Sequence, residues 1–404
     1  MTDTTIDCDI LIVGAGIAGS ALACALRNRG HSIVQVELSS KPLDTARGDH
    51  FQCTVVEALD RWGVLDAFWA AGAEKRLGAK YVTIDGEVLL NASYDDLDIP
   101  HPYYMYLNHE LLGATFLDLA GQNSSYTLLR PCRGRNFETG SEGITALHVR
   151  LPDGGRATIR PRMVVGADGK PSKVRETLGF DSKSHEYEHP LVILFGSRTE
   201  EDPRNEVISF IGPKGTMGRI PRMGKKWKIG VPIHKGDIAW WKNSNAGHRQ
   251  AIIAERAPPI KEMKTEVGGF YPITLLNTTE WARGNTVLLG DACHAMHPAR
   301  GQGMNVAIRC LARLVDYLPN PEDMSNPSLV ADRLKAYEAE VKPRMDIVIA
   351  ENAARANDMD TQDYEVLSVM KDRLRTIQAN TDLCIKYRLA SAGYGDPLDS
   401  KALK

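Results

Sequence analysis

The residues whose types and spacing could do chemistry are concentrated near position 290, in Val287-Leu-Leu-Gly290-Asp291-Ala-Cys-His294-Ala-Met-His297-Pro298-Ala-Arg-Gly301-Gln-Gly303-Met304-Asn305. An apolar strand runs into Gly-Asp, a proline-led loop follows, and a helical pattern opens near Gly303. Gly301 and Gly303 carry no Cβ, so backbone N–H groups can approach a ligand closely, and the helix start aims its unpaired N–H groups and positive dipole end outward. Such a loop suits a flat, partly anionic ligand. His294 and His297 beside an aspartate invite a metal reading, but an i, i+3 pair in a Pro-Gly loop lacks a third ligand and the spacing of HExxH. Packing and local hydrogen bonding are the expected roles, and no metal is expected.

Other elements must bring partners to this loop. Ile6 to Val13 reads as a buried strand, Gly14-Ala-Gly16-Ile-Ala18-Gly19 as a tight turn, Ser20 to Arg29 as a helix and Ser32 to Glu37 as a second strand. In this βαβ spacing Gly14 makes the turn, Gly16 lets the backbone reach a pyrophosphate, and Gly19 lets helix and strand pack closely. Glu37, eighteen residues after Gly19, is placed to accept hydrogen bonds from an adenosine ribose. A third strand, Met163-Val-Val-Gly-Ala-Asp168-Gly169, again runs into Gly and Asp before a helix that carries Arg175.

These three elements, in this order, resemble the single-component FAD-dependent aromatic hydroxylases of the p-hydroxybenzoate hydroxylase type. Gly290-Asp291, Pro298 and Gly301-Gln-Gly-Met-Asn305 look like that family's second flavin motif, and Asp168-Gly169 like its Asp-Gly motif. The resemblance implies non-covalent FAD reduced by NAD(P)H, O2 captured as a flavin C4a-hydroperoxide, and oxygen transfer to a small aromatic or heteroaromatic substrate. It places the backbone of Pro298, Gly303, Met304 and Asn305 around the reacting flavin, and Asp291 on ribityl or phosphate-linked oxygens. Asp168 would serve ribose hydroxyls and Arg175 a phosphate. Arg47 falls where the family runs an arginine along the dinucleotide, against the simpler reading of a surface arginine at the start of a helix. Gln52 either caps the next helix or touches the flavin, and His109 stands where relatives show the arginine of an Arg-x-x-Leu pattern. His50, His109, His234 and Tyr104 could each be a base by chemistry, and none is assigned.

The implied fold class is α/β, with a Rossmann-like FAD-binding domain of the GR2 type interleaved with an antiparallel-sheet substrate domain and C-terminal helices. The expected division is 1–80, 101–183 and 282–350 for FAD, 81–100 and 184–281 for substrate, and 351–404 as a helical tail. Tyr81 to Ala92 alternates around Asp85-Gly86 as a hairpin, and short alternating stretches follow from Ser184 to Tyr271. Tyr104, Phe195, Phe210, Met217 and Arg219 are the substrate candidates, Arg219 because it could hold a carboxylate or phenolate, although a solvent-facing arginine is the simpler reading. Trp240 and Trp241 are expected in or beside the same sheet. Helices are expected over Val55 to Phe68, Ala307 to Leu318, Pro327 to Glu351 and Glu365 to Ala390.

With 404 residues the chain suits two interleaved lobes. A net charge of −2 with mixed acids and bases gives no case for nucleic acid. Seven scattered cysteines without CxxC spacing suggest neither disulfides nor zinc, and a cytoplasmic monomer or homodimer is expected. The apolar run Ile10 to Leu26 is broken by three glycines, so no integral membrane segment is expected. A reductase or dehydrogenase of the same fold is the rival reading, and a non-catalytic flavin-binding scaffold a third. A halogenase is disfavoured because Trp240-Trp241 does not match Trp-x-Trp-x-x-Pro.

Overall fold

The computed structural model describes residues 4–41, 43, 46–198, 205–224, 226–257 and 263–394. Residues 395–404 of the expected helical tail, and short parts of the ranges 1–80 and 184–281, lie outside the described residues.

Parallel pairing organises the first lobe. Thr4–Val13 lies between Arg156–Gly166 and Ile33–Val36; Tyr126–Leu129 extends one side and Thr286–Leu288 the other, all parallel. Ala282–Arg283 caps one edge antiparallel, and Arg133–Gly140 with Gly143–Arg150 forms an antiparallel extension. Ile10 to Val13, Met163 to Val165 and Val287 to Leu288 are all fully buried, as expected for strands covered on both faces. Helices α1 (Ile17–Ala25), α2 (Cys53–Arg61), α3 (Leu65–Ala70), α4 (His109–Ala120) and α5 (Lys173–Thr177) belong to this half. The helix expected over Val55 to Phe68 is therefore two, because Gly63 takes a left-handed φ of +66° between α2 and α3.

The second sheet has seven strands in the order Thr265–Tyr271, Leu191–Ser197, Lys226–Pro232, Gly215–Arg222, Glu206–Gly212, Gly78–Thr83, Val88–Ser93. Its pairs are antiparallel except Glu206–Gly212 with Gly78–Thr83. One detail differs from expectation. Ser182–Glu186 joins a separate three-stranded sheet with Thr274–Thr278 and His294–Ala295. Trp240 and Trp241 lie beside the sheet, on α6 (Ile238–Asn243), followed by α7 (Ala246–Arg256), and both helices belong to the sheet's outer cover.

Beyond these come α8 (Gln302–Tyr317), α9 (Pro327–Asp360), α10 (Tyr364–Ala379) and α11 (Thr381–Ala392). α9 continues through Pro343 past the expected end. The helix expected over Glu365 to Ala390 divides at Asn380, whose Oδ1 accepts the Leu383 N–H at 3.0 Å and starts α11 anew.

Candidate active site

Strand direction brings the chemistry together. Three adjacent parallel strands end at Val13, Gly166 and Leu288, and from those ends emerge Gly14–Gly19, Asp168–Gly169 and Gly290–Asp291. In an open parallel sheet ligands bind outside these carboxyl ends. At the first loop Gly14 has φ +110°, and a Cβ there would strike the Ala167 carbonyl. A Cβ at Gly19 would strike the Gly14 carbonyl, whereas one at Gly16 would meet nothing within 4 Å. Two glycines thus permit close packing and the third faces open space. Ala18 lies beneath Gly290, where an added Cβ would come within 3.1 Å of its methyl group. The Glu37 carboxylate accepts the Ala15 N–H at 2.8 Å and the Ser39 N–H at 2.7 Å, fixing it beside the turn.

The loop near 300 is held from two sides. Gly301, with φ +60°, caps α8, and any Cβ there would strike the His50 ring. Asn305 is fully buried; its Oδ1 accepts the Gln52 N–H at 2.7 Å, and its Nδ2 donates to the carbonyls of Gly301 at 2.9 Å and His50 at 3.2 Å. From α9, Asn352 donates to the carbonyls of His297 at 3.0 Å and Ala299 at 3.2 Å. His297 accepts the Ala299 N–H through Nδ1 and donates Nε2–H to Asp360 at 3.1 Å. His294 packs against Trp281, and burial pushes its pKa down to about 4. Packing thus surrounds His294 and local hydrogen bonds hold His297; groups of three or more His, Cys, Asp or Glu side chains placed to hold a metal are absent among the described residues.

Helices α5, α7, α10 and α11 satisfy N-terminal N–H groups with the side chains of Ser172, Asn245, Asp363 and Asn380. α1 and α8 begin at glycines and have no side-chain cap. Their N–H groups remain available to an anion. Asp291 makes no side-chain hydrogen bond among the described residues; burial raises its pKa, and the nearby charges of Arg47 and Lys170 oppose that rise.

Several expected cofactor contacts have other partners. Asp168 caps α5, accepting the Ser172 hydroxyl at 2.6 Å and the Lys173 N–H at 2.7 Å. Arg175 donates to the carbonyls of Ala292 at 2.7 Å and Lys170 at 2.6 Å, tying the Asp168-Gly169 motif to the Gly290-Asp291 loop instead of presenting its fork to a phosphate. The Gln52 amide donates to the Ser391 carbonyl at 2.9 Å, and its side chain does not cap α2. His109 Nδ1 donates to the Gly48 carbonyl, and burial lowers its pKa to about 4. Arg47 is exposed.

The substrate candidates divide by register. Leu194 and Arg219 both pair with Ile229, and Phe210 pairs with Met217 on the same face. That face is a core shared with Trp227, Trp241 and Ile253, beneath α6 and α7. Phe210, Met217 and Arg219 therefore point away from the first lobe. Arg219 is buried rather than solvent-facing, its guanidinium 4.3 Å from the Trp227 ring centre. The opposite face carries Ile193, Phe195, Gly218, Ile220, Lys228 and Gly230. Phe195 lies on this face, with Arg222 4.7 Å over its ring. Tyr104 is a strut: it accepts the Tyr94 hydroxyl at 2.6 Å, donates to the Ser391 carbonyl at 2.8 Å and stacks on His50.

A buried charge cluster was not anticipated. Lys228 reaches across to donate to the Arg47 carbonyl and to Asp49 at 3.1 Å. Arg222 lies 3.8 Å from the same carboxylate, and Tyr106 donates to it at 3.1 Å. The one sequence signal is a lysine set directly between Trp227 and Ile229 in the strand Lys226–Pro232.

Residues 7–352 match the family described as FAD binding domain. The chain belongs to this family. As a flavoprotein it is similar to ubiquinone hydroxylase UbiL of Rhodospirillum rubrum, 29% identical over 83% of this chain and 78% of that protein. It is also similar to a Streptomyces rimosus 12-dehydrotetracycline 5-monooxygenase/anhydrotetracycline 6-monooxygenase, at 27% over 86% and 69%. Its fold matches the crystal structure of p-nitrophenol 4-monooxygenase PnpA from Pseudomonas putida, with TM-score 0.79, 18% identity and coverage of 96% and 98%. The protein is an FAD-dependent monooxygenase of the aromatic hydroxylase type. The open space at Gly16, the uncapped starts of α1 and α8, and the unbonded Asp291 carboxylate fit this cofactor.

Proposed function

We propose that the protein uses NADH or NADPH and O2 to hydroxylate a small aromatic or heteroaromatic substrate lying against the inner face of the seven-stranded sheet. The observation that carries this reading is the convergence of three motif loops at adjacent strand ends, together with a sheet face, opposite the core beneath α6 and α7, that bears Phe195 and two glycines. A Cβ at Gly218 would meet nothing within 4 Å, so the sheet surface is open at that point. Relatives named for ubiquinone, tetracycline precursors and p-nitrophenol support a ring substrate.

Bound FAD supplies the redox chemistry, passing electrons from NAD(P)H to O2 so that one oxygen atom enters the substrate and the other leaves as water. The chain's own residues bind, orient and exclude water. The Gly14–Gly19 turn and Glu37 hold the adenosine end, and the N-terminus of α1 meets the pyrophosphate. Asp291 accepts hydroxyls of the connecting chain. N–H groups from Gly303 to Asn305 would stabilise negative charge on the bound cofactor, a role that requires no ionisable side chain. Pro298 shapes the loop beside the ring. Phe195, Ile193 and Ile220 give the substrate an apolar wall.

The domain division is part of the proposal, with its first boundary moved to 77 because Gly78–Thr83 pairs within the second sheet. So is a cytoplasmic monomer or homodimer; the free thiols of all seven cysteines are consistent with a reducing compartment. No described helix is long and apolar enough to cross a membrane.

The test is a screen of phenols, aromatic acids, amines and quinolones for stimulated NAD(P)H oxidation, O2 uptake and product mass with 18O2. A product carrying one 18O atom is expected. NAD(P)H-dependent reduction of a substrate without O2 uptake would establish the reductase reading instead.

A further inference from the structure

Away from the flavin loops, α2, α8 and α9 enclose a cavity of about 640 Å³. Its size is that of a site for an organic ligand, not for a single ion. Its wall carries both charge and apolar surface. Arg61 comes from α2, Arg309 from α8 and Arg344 from α9, with Val341 and Met345 between them.

The acids of the same wall are already engaged. Glu57 accepts the Tyr394 hydroxyl at 2.8 Å, Asp60 pairs with His101 at 3.1 Å, and Glu340 pairs with Arg313 at 2.8 Å. Among the described residues Arg61, Arg309 and Arg344 make no hydrogen bond or ion pair. Three helices therefore bring guanidinium groups without a side-chain partner to one space, Arg344 feeling the Glu340 carboxylate only at longer range. Burial, and after it the like charge of Arg344, lowers the Arg309 pKa from its ordinary value. A guanidinium does not give up its proton at physiological pH, so an anion is what would relieve this arrangement.

We propose that this cavity binds a phosphate-bearing ligand, its phosphoryl oxygens held by Arg309 and Arg344 with Arg61 at the rim, and its organic part against Val341 and Met345. Guanidinium forks match phosphate oxygens two at a time. The site reports to the flavin loops through a short path. Arg309 lies one helical turn beyond Asn305, the residue that ties α8 to the loop before α2. Phosphate from a soluble metabolite and from a phospholipid headgroup share this chemistry.

The test uses the FAD-loaded full chain and inorganic pyrophosphate by titration calorimetry, in wild type, Arg344→Gln, Arg61→Gln and Arg309→Gln. Arg344 and Arg61 are exposed, so their variants keep the test valid if Arg309→Gln does not fold. Saturable binding is expected, weakened about tenfold by Arg344→Gln, the loss of one charge-assisted contact, with FAD content unchanged. Arg47→Gln serves as the control for the dinucleotide site. Loss of binding in Arg47→Gln but not in Arg344→Gln would overturn the proposal, as would no saturable binding at all. A second arm sediments the holoenzyme with phosphatidylcholine vesicles with and without phosphatidylglycerol. Arg344-dependent binding to the anionic vesicles assigns the phosphate to a lipid headgroup; pyrophosphate binding without it assigns a soluble ligand.

Discussion

Asp49→Asn removes a charge while keeping the shape of a side chain that is 1% exposed. The carboxylate faces Lys228 at 3.1 Å and Arg222 at 3.8 Å, both buried, and accepts the Tyr106 hydroxyl. At an effective dielectric near 20, attractions at these distances are about 5 and about 4 kcal/mol before desolvation and the mutual repulsion of the two cations. Breaking a buried pair by removing one partner costs about 3–5 kcal/mol, because the remaining charges stay buried without compensation. Two cations on the second sheet would then face the loop that carries Arg47 with no anion between them. The assay is chemical denaturation of the holoenzyme, followed by Lys228→Met in the Asp49→Asn background. The single variant should lose about 3 kcal/mol or more and the double variant should recover part of it, a coupling of the size seen for residues in contact. A loss under about 1 kcal/mol, or strict additivity, would refute the view that this cluster joins the two lobes.

Asp291→Ala should lose bound FAD on gel filtration while the apoprotein melts no earlier than wild-type apoprotein, since burial already disfavours the charged form; full flavin retention would remove Asp291 from the site. Gly301→Ala should destabilise the protein by about 1–3 kcal/mol and weaken FAD binding, because φ is +60° and the new Cβ strikes His50; an unchanged melting temperature and flavin affinity would contradict this. Stability should fall on acidification from about pH 6.5 toward pH 4. His109 and His294 have folded-state pKa values near 4 against 6.5 for the free side chain, so the unfolded chain binds more protons in that window. Each histidine contributes on the order of 3 kcal/mol at full extent. His294→Phe should flatten the profile, and an unchanged slope in both His294→Phe and His109→Gln would show that other groups control it.

The local chemistry of the three loops was legible in the sequence because backbone geometry at glycine is a short-range constraint. Gly14 and Gly301 take positive φ and Gly19 packs on the Gly14 carbonyl, all local constraints, whereas the atoms a Cβ would strike at Gly14 and Gly301 belong to Ala167 and His50 and arrive only with the tertiary structure; strands that read as continuous apolar runs are buried on both faces. Asp168 and Arg175 were located correctly on their loop and helix, yet their partners are a local cap and two carbonyls, choices that residue type alone does not specify.

The second sheet shows where the sequence stops deciding. Alternation with period two identifies which residues share a face, but both faces here are covered, one by α6 and α7 and the other by the first lobe and the C-terminal helices, so both carry apolar residues. Only strand register against neighbours assigned Phe210, Met217 and Arg219 to the outer core and Phe195 to the inner face. The ties that hold the site likewise span long separations: Asn305 to Gln52 across 253 residues and Lys228 to Asp49 across 179. The sequence by itself determined which loops could hold FAD, because glycine spacing and strand ends are local. The tertiary structure decided what those loops face and what fixes them, because side-chain pairing across lobes depends on the packing of every element between.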